Sequence, residues 1–407
     1  MTETRFPAKQ LDIVDVSVID RLQADWHDLM EHVDQCELFA SADWFKAWST
    51  AFGENKQQQL ACYRENGKLK ALMPMVTATV RRNPLFMPRY DVQPEDKAFV
   101  NKMPFANVLP VRQISAPINL QSGAMRGAWL ASSGVSESFM HELLTALSKK
   151  KHWDVMLFSS LPVVDADIVC AQAISVGLSF TRDSQVREVY KSQVLNWDEY
   201  WAGRTRHFRK RYREASSRLR KMGSERFAVL TGPKEVALGL AQLFQLARES
   251  WKFAGRKDQD VHLPLTEQTE VFYRALCDSY AAKQQCQLYM MYLDEEPVAG
   301  MVSFTEGNRS FAMQTYYHPK VAKASPGRFL FRHMSEWCCQ NGKTIDWNGN
   351  SAIVKMFAND FLAYDRVTVF NTNLYPRALK MISNGARVLQ AAKLRVKRNS
   401  KTIGEDT

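Results

Sequence analysis

Two successive stretches of this sequence follow the same order of elements. That order predicts an α/β protein built from two similar halves, each a mixed twisted sheet flanked by helices. In both halves helical segments come first, a hairpin follows, and the hairpin leads into strand, helix and strand. Length agrees, because 407 residues exceed what one hydrophobic core ordinarily serves. The expected division is a first domain over 1–190, a second over 191–375, and a basic helical tail over 376–407.

The first half opens with a strand over 11–18 and a helix over 20–33, whose apolar stripe is Ile19, Leu22, Trp26, Leu29, Met30 and Val33. Ser41 has the chemistry of an N-cap for a helix bearing Trp44, Phe45, Trp48 and Phe52. A hairpin over 59–80 turns at Asn66-Gly67, the strongest short-range hairpin signal. Residues 81–107 are proline-rich and lack periodicity, as expected of a long surface excursion. A helix over 136–150, a buried strand over 153–158 and a helix over 165–176 ending at Gly177 complete this half.

In the second half, Asn196 and Glu199 have the spacing of a capping box at the head of a long basic helix reaching Gly223. A strand over 226–230 and helices over 233–254 and 266–283 follow. Strands over 287–292, 297–304 and 309–317 are joined by turns at Asp294-Glu295-Glu296 and Glu306-Gly307-Asn308. Ser325-Pro326-Gly327 then opens an apolar-periodic helix to Cys339, and a strand ends at Asp346-Trp347. The likeness of the halves lies in element order, not in residue identity.

Charge is concentrated. Nine basic residues and one acid lie between Arg204 and Lys221, and eight basic residues with no acid between Arg377 and Lys401. Each segment contributes +8 to a net +11, so the remainder is −5 and the positive field is local. The basic helix has an apolar stripe of Phe208, Tyr212, Ala215, Leu219 and Met222. Its other faces are either a solvated surface, a clamp for phosphates or an anionic saccharide, or a surface for tRNA; Arg206 and Arg209 are its candidate substrate contacts. No RNP-type motif accompanies it. The tail is either a docking helix or a peripheral contact with an anionic membrane.

The seven cysteines lack metal-ligand or redox spacing, so no metal is expected. Neither Rossmann, Walker nor Gly-x-Ser-x-Gly patterns occur. No stretch approaches the ~18 consecutive apolar residues of a membrane span, and the first residues lack a signal-peptide core, so a cytoplasmic protein is expected. At residues 325–328 a loop after a strand becomes a helix. Ser325 is expected to cap it, Pro326 to occupy its first turn, and Gly327 to let a pyrophosphate approach the free N–H groups, with Lys323 and Arg328 adding charge. The bland alternative is an ordinary helix start. Strand, hairpin, loop, helix and strand in this order suggest an acyl-coenzyme A transferase core.

These pieces together resemble the GNAT-type acetyltransferases named after the cellulose-biosynthesis protein CelD, relatives of the Fem peptidyltransferases. The matching segments are Arg206–Leu219, Glu249-Ser250-Trp251-Lys252, Glu296-Pro297-Val298-Ala299-Gly300, Ser325-Pro326-Gly327, Asp346-Trp347-Asn348-Gly349 and Lys355. In the first half, Phe39-Ala40-Ser41-Ala42-Asp43-Trp44-Phe45 with Trp48 resembles the family's opening segment. The resemblance covers most of residues 10–375. The chain departs from it in a shortened glycine signature and in Trp347-Asn348-Gly349, where the family often has Phe-Gly.

The resemblance implies acyl-CoA (acetyl-CoA) as co-substrate and acylation of an amino or hydroxyl group on a sugar or amino-acid-like acceptor, in envelope or exopolysaccharide biosynthesis. It implies Asp346 as the base, titrating above the ordinary carboxylate range, with His318 and Tyr316 as alternative proton-transfer groups and Trp251, Lys252 and Lys355 at the acceptor. Tyr316 and Tyr317 alternate, so only one faces a cleft. Two rivals remain: a Fem-type transferase using aminoacyl-tRNA, and a non-catalytic scaffold in polysaccharide synthesis.

Overall fold

The computed structural model describes residues 9–33, 37–82, 109–250 apart from 120, 125 and 128, and 265–381. Most of the proline-rich excursion, Trp251 and Lys252, and the tail from 382 onward lie outside these residues.

The first half runs β1 (Lys9–Asp15), α1 (Ile19–Glu31), α2 (Ala42–Phe52), β2 (Gln57–Glu65), β3 (Lys68–Arg82), β4 (Leu109–Ser115), β5 (Leu130–Ala131), α3 (Ser136–Ser148), β6 (Val155–Pro162), α4 (Val163–Ser175) and β7 (Ser179–Gln193). The connection contains α5 (Trp197–Ala202) and α6 (Arg206–Arg220). The second half runs β8 (Glu225–Leu230), α7 (Pro233–Glu249), α8 (Glu267–Ala282), β9 (Cys286–Leu293), β10 (Glu296–Glu306), β11 (Arg309–Tyr317), a 3-10 turn (Pro319–Ala324), α9 (Gly327–Gln340), β12 (Thr344–Asp346), α10 (Ala352–Phe357) and β13 (Asp360–Phe370).

Local chemistry explains the boundaries. Ser41, Asn196, Thr205 and Thr266 each accept a hydrogen bond from the amide three residues on, satisfying a first-turn donor. Asn66 and Gly67 both have positive φ, as a two-residue hairpin turn with the twist of its strands requires. The expected single basic helix is two, because the first stops at Gly203 and Thr205 caps the second.

All strands join one sheet in the order β1-β2-β3-β4-β6-β13-β7-β12-β11-β10-β9-β8, with β5 beside β3. Only β4/β6 and β11/β12 pair in parallel among the described strands. The halves interlock: β13, from the end of the second half, lies between β6 and β7 of the first. β7 pairs with β13 along most of its length and with β12 at its end, so residue 190 falls inside a strand shared by both halves.

Helices cover both faces. On one face α1, α2, α7 and α8 form a continuous core across the two halves, centred on Trp44, Phe272, Tyr273, Phe304 and Phe311. Trp44 and Phe272 meet edge to face at 4.8 Å. On the opposite face α3 and α4 cover the first half, and α6, α9 and α10 cover the second. No described helix is long and apolar enough to cross a membrane.

Candidate active site

In each half the parallel pair holds together over three residue positions and then parts. β11 and β12 pair at Arg309/Thr344, Ser310/Ile345 and Phe311/Asp346, after which β11 continues alone to Tyr317. Asp346 therefore stands at the base of the opening, fully buried.

Its partner comes from the other half. The Arg126 guanidinium, 3 % exposed, donates to both Asp346 oxygens at 2.7 and 3.2 Å, and its Nε donates to Glu37 at 3.3 Å. Arg309 donates to the other Glu37 oxygen at 3.0 Å and lies 3.8 Å from Asp346. Phe39, Phe311 and Tyr364 surround the Arg126 guanidinium at 4.9–5.7 Å. Burial alone would raise the Asp346 carboxyl, but Arg126 outweighs it and holds the group below the usual carboxylate range. The expectation of a raised value is thus reversed. The loop carrying Arg126 also fills the opening, where the Asn348 amide donates to the Gly123 carbonyl at 2.9 Å and Tyr273 donates to that of Ser122 at 2.9 Å.

The other proton-transfer candidates lie at the end of β11. Tyr316 packs in the shared core and donates to Gln314 at 3.2 Å, and burial pushes its hydroxyl well up, so it remains protonated. Tyr317 packs against the opposite core, as alternation requires. His318 Nδ1 accepts from the Lys320 amide at 3.0 Å. That bond assigns the neutral ring's proton to Nε2, which lies 3.6 Å from Glu249. His318 in this form offers a donor rather than a base.

The loop before α9 also differs from expectation. Ser325 has φ +53 and ends the preceding 3-10 turn, while Pro326 takes the N-cap position without a side-chain cap. The amides of Ser325, Arg328 and Phe329 bond to Ala322, Ser325 and Pro326 carbonyls, so they do not converge on open space. A Cβ at Gly327 would meet only Ile353, at 3.5 Å. Lys323 is exposed. Burial, then Arg211 and Arg218 across the gap, lower the Arg328 guanidinium.

α6 carries the largest concentration of positive charge. Phe208, Tyr212, Ala215 and Leu219 face inward. At about 100° per residue, Arg206, Arg209, Arg213 and Arg220 share an arc of about 60° on one flank. With Ser216, Trp201, Tyr212 and Arg332 they line a groove of about 590 Å³. Arg332 is held by Glu336 at 2.7 and 3.0 Å and lies 5.1–5.6 Å from the rings of Trp197, Trp201 and Tyr212. Arg220 reaches Glu225 at 3.5 Å. Among the described residues Arg206, Arg209 and Arg213 have no acidic partner.

The candidates are therefore dispersed. Arg206 and Arg209 share the groove, Lys323 to Arg328 lie along the other flank of α6, and Asp346 is buried on the opposite face of the sheet. Lys355 is exposed, 3.4 Å from Glu188 and over the Tyr190 ring. Arg126 went unread in the sequence: it sits in the irregular run Gly123-Ala124-Met125-Arg126-Gly127, where periodicity carries no signal.

Residues 206–352 match the family profile described as an acetyltransferase (GNAT) domain. A search of curated proteins gives no match. Among solved structures, FemX is similar over 88 % of this chain and 98 % of its own, with a TM-score of 0.56 and 12 % identity. The C-terminal domain of an Agrobacterium fabrum protein assigned as a lysylphosphatidylglycerol synthetase is similar over 92 % and 96 %, with 0.51 and 10 %. A Bacteroides thetaiotaomicron protein of unknown function is similar over 89 % and 100 %, with 0.51 and 11 %.

Proposed function

We infer that the protein is a transferase, because its fold is of the GNAT type and residues 206–352 match an acetyltransferase (GNAT) domain. We propose that it moves an acyl group from an anionic adenosine-phosphate carrier, acyl-CoA (acetyl-CoA) in the first reading, to an amino or hydroxyl group of a sugar or amino-acid-like acceptor in envelope or exopolysaccharide synthesis. The acceptor and pathway rest on the resemblance to CelD-like enzymes.

The observation that carries this reading is the groove on α6. Three unpaired arginines with Arg220 and Arg332 supply charge-assisted donors for phosphates, and Trp201 and Tyr212 supply ring faces for a base. Asp346 is assigned a positioning role: ionised and paired, it fixes Arg126 and the end of β12. Tyr316 and His318 are proton donors in this reading, and Lys323, Gly327 and Arg328 lie on a second cationic surface beside the helix.

A second reading, aminoacyl-tRNA as donor, is supported by the Gly123–Arg126 loop filling the opening between β11 and β12, which leaves the exposed groove as the place for a donor end. Calorimetric titration with coenzyme A tests the first reading. Arg209→Ala combined with Arg213→Ala is expected to weaken binding at least tenfold and flatten its salt dependence, while Gly327→Trp is expected to change it little. Loss of binding in Gly327→Trp alone would move the donor back to the loop. A gel shift with charged tRNA, steep in salt and absent for free coenzyme A, selects the second reading.

A further inference from the structure

The first half contains a second cleft that the donor groove does not use. Past the three positions where β4 and β6 pair, β5 and the loop to α3 form one wall, and the end of β6 with the start of α4 forms the other. The cleft holds about 550 Å³, within the ~300–1,000 Å³ range of small-molecule sites. Ser132, Ser133, Ser136 and Ser160 line it, with Trp129 and Leu130 as apolar surface.

Two polar groups here lack partners. The Tyr364 hydroxyl is buried without a hydrogen-bond partner, in a residue 1 % exposed. Such a group costs stability unless something else satisfies it. Asp165, in the first turn of α4, has neither an ion pair nor a hydrogen bond among the described residues. Burial, and then Glu37, push its carboxyl up to about 6. Of the other charged side chains, Arg126 and Glu37 line the cleft as an ion pair, while Arg309, Asp346 and Lys191 lie behind them. Asp165 is thus the one charge lining the cleft without an ionic partner among the described residues.

The geometry points to a primary ammonium on a hydroxylated skeleton, an amino sugar in the simplest case, as the ligand of this cleft, with Asp165 as counter-ion and the Tyr364 hydroxyl as hydrogen-bond partner. The serine hydroxyls match the ligand's hydroxyls, and Trp129 offers apolar surface to a sugar ring. That this amine accepts the acyl group rests on the transferase reading above; the binding site does not.

Calorimetry on the full chain with glucosamine, glucose and N-acetylglucosamine tests the site. Glucosamine is expected to bind at least tenfold tighter than either neutral sugar. Asp165→Asn is expected to remove that preference, and Tyr364→Phe to weaken glucosamine binding severalfold. Thermal melts of both variants check that they fold. Equal binding of the three sugars, no binding of any, or an unchanged preference in folded Asp165→Asn would each overturn the assignment. Glucosamine binding that depends on Asp165 but yields no product with acetyl-CoA or charged tRNA would keep the site and remove the transferase reading. Acyl transfer to glucosamine that is indifferent to Asp165→Asn would do the reverse.

Discussion

The two places where parallel strands part make a natural experiment within one chain. Between β4 and β6 the opening remains a cleft whose walls carry serines, an unpaired carboxylate and a buried hydroxyl without a partner. Between β11 and β12 the corresponding opening is filled by a loop from the other half, and its carboxylate is locked to a guanidinium. Shared topology thus yields two different outcomes. What separates them is whether a neighbouring segment supplies the charge and volume that the opening lacks. Asp165 has no such partner, while Asp346 has Arg126. Their carboxyls shift in opposite directions for that reason, one raised and one depressed.

The largest test of this contrast is Arg126→Met. It removes the bidentate cation and leaves Asp346 buried with the Asn348 amide at 2.9 Å, Arg309 at 3.8 Å and Lys191 farther off. An uncompensated buried charge typically costs about 3–5 kcal/mol, so urea denaturation is expected to show a loss of that size. Adding Asp346→Asn is expected to recover part of it, because the stranded charge is then gone. In the unaltered protein the depressed Asp346 contributes stability above its unfolded value. That contribution fades as pH falls through the folded one.

Asp165→Asn is expected to act with the opposite sign. A folded carboxyl raised to about 6 from 3.8 binds protons that the unfolded chain has released, so wild-type stability falls as pH rises between those values. The neutral variant escapes this. By denaturant melts it is expected to gain on the order of 3 kcal/mol above about pH 6 and nothing below about pH 4. A flat difference across that window would mean that the carboxylate is not isolated.

Where periodicity and capping chemistry were strong, the elements were legible in sequence: α2 behind Ser41, the Asn66-Gly67 hairpin, and the strand pair on either side of Gly307. β7 was not, because Ser179–Gln193 mixes basic, acidic and polar residues without alternation; its partners on both sides supply the order. The candidate site was only half legible. Arg206 and Arg209 stood out by charge density and do line one groove. Ser325 looked like a cap, but its backbone turns left-handed to end the previous 3-10 turn, an outcome set by the chain on both sides. Asp346 was located by its place after a strand, yet its chemistry depends on Arg126, 220 residues away in sequence. A single-sequence reading has no access to a pairing of that range. Asp165 was read only as part of a helix, since nothing local marks a first-turn acid as unpaired.

The finest test compares two glycines with nearly the same backbone. Gly123, φ +77, lies in the loop that fills the β11/β12 opening, and Gly134, φ +74, lies on the wall of the open cleft. Alanine at either position carries the left-handed penalty of about 1–2 kcal/mol. At Gly134 a Cβ meets nothing within 4 Å, so that penalty is the whole expected effect. At Gly123 it would stand 2.9 Å from the hydroxyl of buried Tyr273 and 3.0 Å from the amide of half-buried Gln314. Overpacking of this kind adds about 1–3 kcal/mol. Gly123→Ala is therefore expected to destabilise by about 2 kcal/mol more than Gly134→Ala in parallel urea titrations. Because the backbone contribution cancels in the difference, equal losses would mean that the loop does not pack into the opening, and the contrast between the two halves would go with it.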